Sequence, residues 1–191
     1  MPVFAAVACE LPRERQEIVI DEGLFPRIGR GEREAFRQLY EVAGNSVYAY
    51  ALSLLRSRED AEDAMQETFL KIRAAAHLYA PMGKPMAWVL TITRNICMMR
   101  FRRDRYICAI SVDEAVEGPD CSDIENREDR IVLETAFRIL SEQECQIIVL
   151  HIVSGMKHRE ISDWLKLPLS TVLSRYHRGL KKLRIELEGS V

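Results

Sequence analysis

No two of the five cysteines, Cys9, Cys97, Cys108, Cys121 and Cys145, are spaced as CxxC, and their number is odd. A disulfide framework is therefore not expected, and the bland reading is buried or incidental thiols. The four histidines, His77, His151, His158 and His177, make no HExxH pair or Cys/His cluster. Cys145 with His151 and His158 lacks the spacing of a zinc module, so no metal or other cofactor is expected. The stretch Pro81 to Met86 contains a Gly-Lys pair but neither the upstream glycine nor the following hydroxyl residue of a phosphate-binding loop. No nucleophile and base stand at a spacing that suggests catalysis, so the chain reads as something other than an enzyme. No apolar run approaches the ~18 residues of a membrane span. The start, MPVFAAVAC, has no basic region and meets Glu10 at once, so no secretory leader and no membrane insertion are expected, and a cytoplasmic location is the default. Net charge is also missing. The 27 Lys+Arg against 29 Asp+Glu leave −2 over 191 residues, a total that gives no hint of a nucleic-acid partner.

What is present is charge in blocks. Residues 94–105 sum to +4, residues 106–130 to −6, and residues 157–184 to +6. A charge run is most often a solvated face, but two basic segments around an acidic stretch holding Gly118 and Pro119 suggest two modules and a linker. The boundaries read as an extension over 1–21, a first domain over 22–106, a linker over 107–126 and a second domain over 127–188.

Helical periodicity dominates and no strand-like alternation survives a length test, so the fold class is all-α, two helical domains joined by the acidic linker. Leu24, Ile28, Phe36, Leu39, Tyr40, Val47, Tyr50, Ala51 and Leu54 support helices over about 24–56, broken near Gly29–Gly31, with Gly44 a second candidate break. Ser57 opens a helix expected to run to about Ala80. Pro81, Gly83 and Pro85 force a loop, and another long helix carries Trp88, Leu90, Ile92 and Phe101. In the second module, Ile131, Ala136, Phe137 and Leu140 lie on one helix, and Ser141-Glu-Gln-Glu144 is a capping box that starts a helix ending near Gly155. A short helix spans Arg159 to Lys166, a turn follows at Leu167-Pro168, and the last helix begins near Ser170. Its apolar line is Val172, Tyr176, Gly179/Leu180, Leu183 and Leu187, leaving Thr171, Ser174, Arg175 and Arg178 on the exposed arc.

Three constellations carry chemistry. Two short helices joined by a tight turn, the second opening with hydroxyl residues and continuing with Arg175, Arg178, Lys181 and Lys182, have the features of a DNA-reading helix-turn-helix. The bland alternative is a basic surface helix with no partner. Around the first basic block, Tyr79, Trp88, Phe101 and Tyr106 lie among Arg94, Asn95, Arg100, Arg102 and Arg103, and aromatic faces with arginines suit unpaired bases on a phosphate backbone. Trp88 also reads as a core residue. The third is acidic: Glu59, Asp60, Glu62, Asp63 and Glu67 occur within nine residues free of Lys and Arg. Such a face is usually a solvated helix start favoured by the macrodipole, or else a docking surface with Phe69 and Leu70 as apolar anchors.

DAEDAMQETFLKI (Asp60 to Ile72), AWVLTITRN (Ala87 to Asn95) and LPLSTVLSRYHRGLKKL (Leu167 to Leu183) closely resemble, in order and spacing, the sigma-70 family of bacterial transcription initiation factors, specifically its extracytoplasmic-function group. The resemblance covers about residues 22–188. It implies a first domain that binds core RNA polymerase at the clamp helices of the largest subunit through Asp60, Glu62, Asp63, Gln66, Glu67, Phe69 and Leu70. The same domain would take the minus-10 promoter strand with the loop Tyr79 to Pro85 and with Trp88, Arg94, Asn95, Arg102 and Arg103. It implies a second domain, placed by the polymerase flap, that reads the minus-35 duplex with Thr171, Leu173, Ser174, Arg175, His177 and Arg178. The acidic linker matches the family's connector toward the polymerase cleft, and an anti-sigma factor is an implied partner. Two departures matter. Met99 stands where relatives commonly carry an acid, and Leu173 where they often carry a base, so the promoter sequence does not transfer from relatives. The alternative reading is a stand-alone helix-turn-helix regulator, which would need neither the acidic helix nor the segment Trp88 to Arg105.

Overall fold

The computed structural model describes residues 18–108 and 139–189, with no account of the side chains of 103–108 and 187–189. The expected extension up to residue 17, the linker from residue 109 and the stretch holding Ile131, Ala136 and Phe137 lie outside the described residues. The chain divides into two compact units, residues 18–55 and 59–108 belonging to one and residues 139–189 to the other. Among the described residues every regular element is helical.

The first unit begins with Asp21, whose carboxylate accepts the Gly23 N–H at 2.9 Å, and with the short helix α1, Leu24–Gly29. Six residues do not hold a helix on their own. Leu24, Phe25 and Ile28 are buried and fix α1 by packing. Gly31 ends this segment at φ +84°, a backbone conformation that favours glycine. Helix α2, Arg33–Leu55, follows without interruption, so Gly44 is not a break. The helical cost of a glycine, about 1 kcal/mol, is outweighed because Ala43, Gly44 and Val47 all lie in the buried face. Its stripe of Ala35, Leu39, Ala43, Val47, Tyr50, Ala51 and Leu54 packs chiefly on helix α4, Pro85–Cys108. That helix answers with Met86, Val89, Leu90, Thr93, Ile96 and Cys97, also three or four apart. Pro85 is its first residue, where a missing N–H costs nothing.

Between them lies helix α3, Arg58–Ala75, which buries Ala61, Ala64, Thr68, Phe69 and Ile72. It stops earlier than the expected Ala80. Residues Ala76–Leu78 form a 3-10 turn instead, and α1 lies directly against it. A Cβ at Gly29 would stand 3.2 Å from the backbone of His77, so the glycine permits an approach that a straight continuation of α3 would not offer.

In the second unit, Ser141 and Glu144 form the expected reciprocal capping box at 3.3 and 3.0 Å. Helix α5, Glu142–Ile148, then widens into a π turn over Val149–Val153, closed by Ser154 N–H to the Val149 carbonyl at 3.1 Å. Helix α6, His158–Leu165, ends on Lys166 in the left-handed region. The Ser162 hydroxyl donates to the Leu167 carbonyl at 2.7 Å, which fixes the turn. Helix α7, Leu169–Gly189, buries Val172, Gly179 and Leu183. Gly179 marks its crossing with α5: a Cβ there would lie 2.7 Å from Ile148 Cδ1 and 3.5 Å from Glu144 Cβ.

Candidate functional site

The acidic helix α3 presents its carboxylates along one side. Asp63, Gln66 and Leu70 are exposed, Leu70 by 64%, while Asp60, Glu62 and Glu67 are half-buried. Phe69 is 3% exposed, beneath Phe36 at 6.1 Å and Tyr40 at 4.7 Å between ring centroids. It supports the helix from below and offers no surface to a partner. The face is also not simply solvated. Arg100, on α4, reaches Asp60 at 3.4 Å, Asp63 at 3.5 Å and Glu67 at 3.7 Å with only 16% of its side chain exposed. Sequence reasoning groups Arg100 with the nucleic-acid arginines, whereas its guanidinium is committed to three carboxylates. Lys71 adds a one-turn pair with Glu67 at 3.0 Å. Cys97, one turn before Arg100, is fully buried, and burial pushes its thiol up to about 12, so it is an inert core residue.

The second surface is built on three rings. Phe25 stacks on Tyr79 at 4.0 Å, and Trp88 meets both edge-on at 5.1 and 5.2 Å. Trp88 therefore serves the packing that anchors the loop before α4, with part of its surface still accessible. Asn95 and Arg102 follow it at intervals of seven, so the three lie on one side of α4, with Thr91, Met99 and the exposed Lys84 in the same stripe. Arg94 is half-buried beside this stripe, and the Arg103 side chain lies outside the described residues. The Tyr79 hydroxyl donates to Glu22 at 2.9 Å, and burial first, then that bond, push the phenol up to about 12. Sequence reasoning missed Glu22, whose partner stands 57 residues away.

The third surface is the start of α7. Ser174, His177 and Arg178 are exposed, and Thr171 and Leu173 are half-buried beside them. Arg175 departs from the expected exposed arc. It is half-buried, and its Nη1 is shut away from solvent without a hydrogen-bond partner. Its neighbour Tyr176 packs against the stacked rings of His151 and His158 at 4.8 and 4.7 Å, so these histidines are part of the hydrophobic seam. Lys182 departs too: its ammonium meets Glu144 at 2.7 Å and so faces α5.

Comparison with known proteins matches the two units separately. Residues 39–106 fit the family model described as Sigma-70 region 2, and residues 130–183 that described as Sigma-70, region 4. An ECF RNA polymerase sigma factor SigK from Mycobacterium ulcerans is 33% identical over 175 residues, covering 87% of this chain and 93% of the relative. The SigK of Mycobacterium tuberculosis strain H37Ra is 28% identical over 177 residues, covering 88% and 94%. Among solved structures, CnrH in complex with the cytosolic domain of CnrY aligns with a TM-score of 0.61 at 24% identity, over 90% of this chain and 99% of that one. The sigma factor RpoE in complex with the anti-sigma factor NepR from Bartonella quintana aligns with a TM-score of 0.64 at 22% identity, over 81% and 98%.

Proposed function

The chain belongs to the extracytoplasmic-function group of the sigma-70 family and acts as a sigma factor in transcription initiation; from that premise we propose how its two units divide the work. The side of α3 carrying Asp60, Glu62, Asp63, Gln66, Glu67 and Leu70 docks on a basic, partly apolar surface of core RNA polymerase. The loop 79–85, with Asn95 and Arg102 along α4, takes the minus-10 strand as the promoter melts. The exposed start of α7 enters the major groove of the minus-35 element, where Leu173 can meet a thymine methyl and Arg178 can reach a guanine edge. The chain performs no chemistry; binding energy from both units directs polymerase and favours the open strands. An anti-sigma factor that covers these surfaces is the natural antagonist, a reading supported by family resemblance.

The observation that carries this reading is that one chain holds both an acidic helix with an exposed Leu70 and a helix-turn-helix, a pairing that a simple repressor does not need. The test is run-off transcription by core polymerase with the purified chain on a promoter library. Initiation at a defined subset of promoters is the expected result. Repression or activation without any association with core enzyme would overturn it.

Replacing Arg178 by alanine is expected to weaken promoter binding by about 1–3 kcal/mol and to relax selectivity at one minus-35 position. Competition binding of the holoenzyme on single-base variants of that element reads both effects. An equal loss on all sequences, with a shallower salt dependence, would make Arg178 a phosphate contact instead.

A further inference from the structure

The loop between α3 and α4 is short and largely exposed, and beyond the φ that Pro81 fixes it is held at three points. Its two ends are held by rings, Tyr79 stacking on Phe25 and Trp88 meeting both. Its middle is held by one carboxylate oxygen. Glu22 Oε1 accepts the Tyr79 hydroxyl at 2.9 Å and the Gly83 N–H at 2.8 Å, from 57 and 61 residues further along the chain. The Gly83 amide and the Tyr79 hydroxyl thus end on the same carboxylate oxygen. Gly83 adopts φ +70°, which lets the chain turn its N–H toward the carboxylate. Glu22 is itself held, because its carbonyl accepts the Phe25 N–H at 3.2 Å and the adjacent Asp21 carboxylate caps Gly23. With the backbone tied inward, the side chains of Met82, 76% exposed, and Lys84 are left pointing to solvent.

We propose that Glu22 is a positioning residue for promoter selectivity: by anchoring Tyr79 and Gly83 it sets the shape in which the loop 79–85 meets the minus-10 strand. This rests on the reading that the loop contacts that strand. The physical reason is entropic. A loop that must order when a base arrives loses binding free energy equally on right and wrong bases and can reshape around either, whereas a loop ordered beforehand discriminates between them. Hydrogen bonds to an ionised acceptor are among the stronger ones, which suits a clamp that stands partly in solvent. The raised phenol of Tyr79 keeps its proton, and so its donor role, throughout the physiological range.

The test uses holoenzyme assembled from core polymerase and the full chain, with transcription measured on promoters carrying each base at each minus-10 position. Glu22→Ala is expected to reduce the ratio between preferred and non-preferred bases by about tenfold, the equivalent of roughly one charged hydrogen bond. Affinity for core polymerase should stay within about twofold, since a local loop change leaves the distant α3 contacts intact. Glu22→Gln, which keeps an oxygen acceptor, should restore most of the selectivity, and Tyr79→Phe should give a partial loss that does not add to that of Glu22→Ala. A thermal melt of each variant identifies a general loss of fold, and Tyr79→Phe, which removes a single oxygen, keeps the inference testable if Glu22→Ala melts early. Met82→Ala and Lys84→Ala probe the loop itself. If they alter minus-10 selectivity while Glu22→Ala and Tyr79→Phe do not, the role of Glu22 is overturned and the loop reading stands. If none of the four alters it, the loop reading fails and the inference falls with it.

Discussion

Replacing Glu144 by alanine is expected to destabilise the second unit by about 2–3 kcal/mol, because it removes a buried charge partner and the carboxylate half of a capping box together. Glu144, with its side chain 3% exposed, makes three hydrogen bonds at once. Its Oε2 accepts the Ser141 backbone N–H at 3.0 Å and the Lys182 ammonium at 2.7 Å, and its own N–H completes the capping box with the Ser141 hydroxyl. Its Cβ also packs where Gly179 crosses α5. Removal leaves Lys182 facing a void, although that side chain is 40% exposed and can turn to water, which holds the loss below that of a fully buried pair. For a unit of this size, the change corresponds to a fall in Tm of roughly 10–20 °C, read by circular dichroism melts of the full chain. Lys182→Met should cost a comparable amount, about 2–3 kcal/mol, because the capping box survives but the 3% exposed carboxylate loses its cation.

The same residue gives a pH dependence of defined sign. Burial alone raises the Glu144 carboxyl, but the Lys182 and Ser141 donors outweigh it, and the net result lies below the ordinary value of 4.5. A carboxyl lowered on folding contributes stability that is complete above its unfolded value and is lost as the pH falls through its folded value. Urea unfolding of the parent chain should therefore weaken below about pH 4.5, and Glu144→Gln should flatten that part of the curve. An unchanged acid limb in Glu144→Gln would mean that another carboxylate sets it.

The residues that sequence reasoning placed well are those whose physics is local. Ser141 and Glu144 are three apart, and the cap they form is written in that spacing. The stripe of α4 follows from a period of 3.6, and the turn before α7 from Pro168. Pairs brought together by tertiary packing are what it misplaced. Arg100 and Lys182 each sit in a basic run and read as phosphate contacts, yet their carboxylates stand 40 and 38 residues back in the chain. Glu22 carries no signal at all, since an acid before a short helix is the commonest of helix starts. Phe69 and Leu70 are equally apolar, and only packing against Phe36 and Tyr40 decides that Phe69 is inside and Leu70 outside. The π turn after α5 likewise has no local signature. Its tertiary partner is equally invisible in the spacing: the His151 ring nitrogen Nδ1 meets the Met156 carbonyl at 2.8 Å.

Reversing Asp63 and Glu67 to lysine is expected to weaken association with core polymerase by about 2–5 kcal/mol, enough to abolish run-off transcription at ordinary concentrations. The first unit should also lose some stability, because the reversal sets two ammonium groups against Arg100, whose side chain is only 16% exposed, and one against Lys71; a thermal melt of the variant measures that loss separately from association. Arg100 supplies the discriminating control. It stands against Asp60, Asp63 and Glu67 and cancels part of the charge a basic partner would feel. If this face docks a partner through charge, Arg100→Met exposes more negative potential and should speed association at low salt, with a steeper salt dependence, even as it removes three ion pairs. If the cluster only stabilises the contact between α3 and α4, both substitutions should lower Tm and neither should alter association with core polymerase except through unfolding. Opposite effects on association, from two changes in one cluster, are what a docking surface requires, and association measured by stopped flow at two salt concentrations distinguishes the cases.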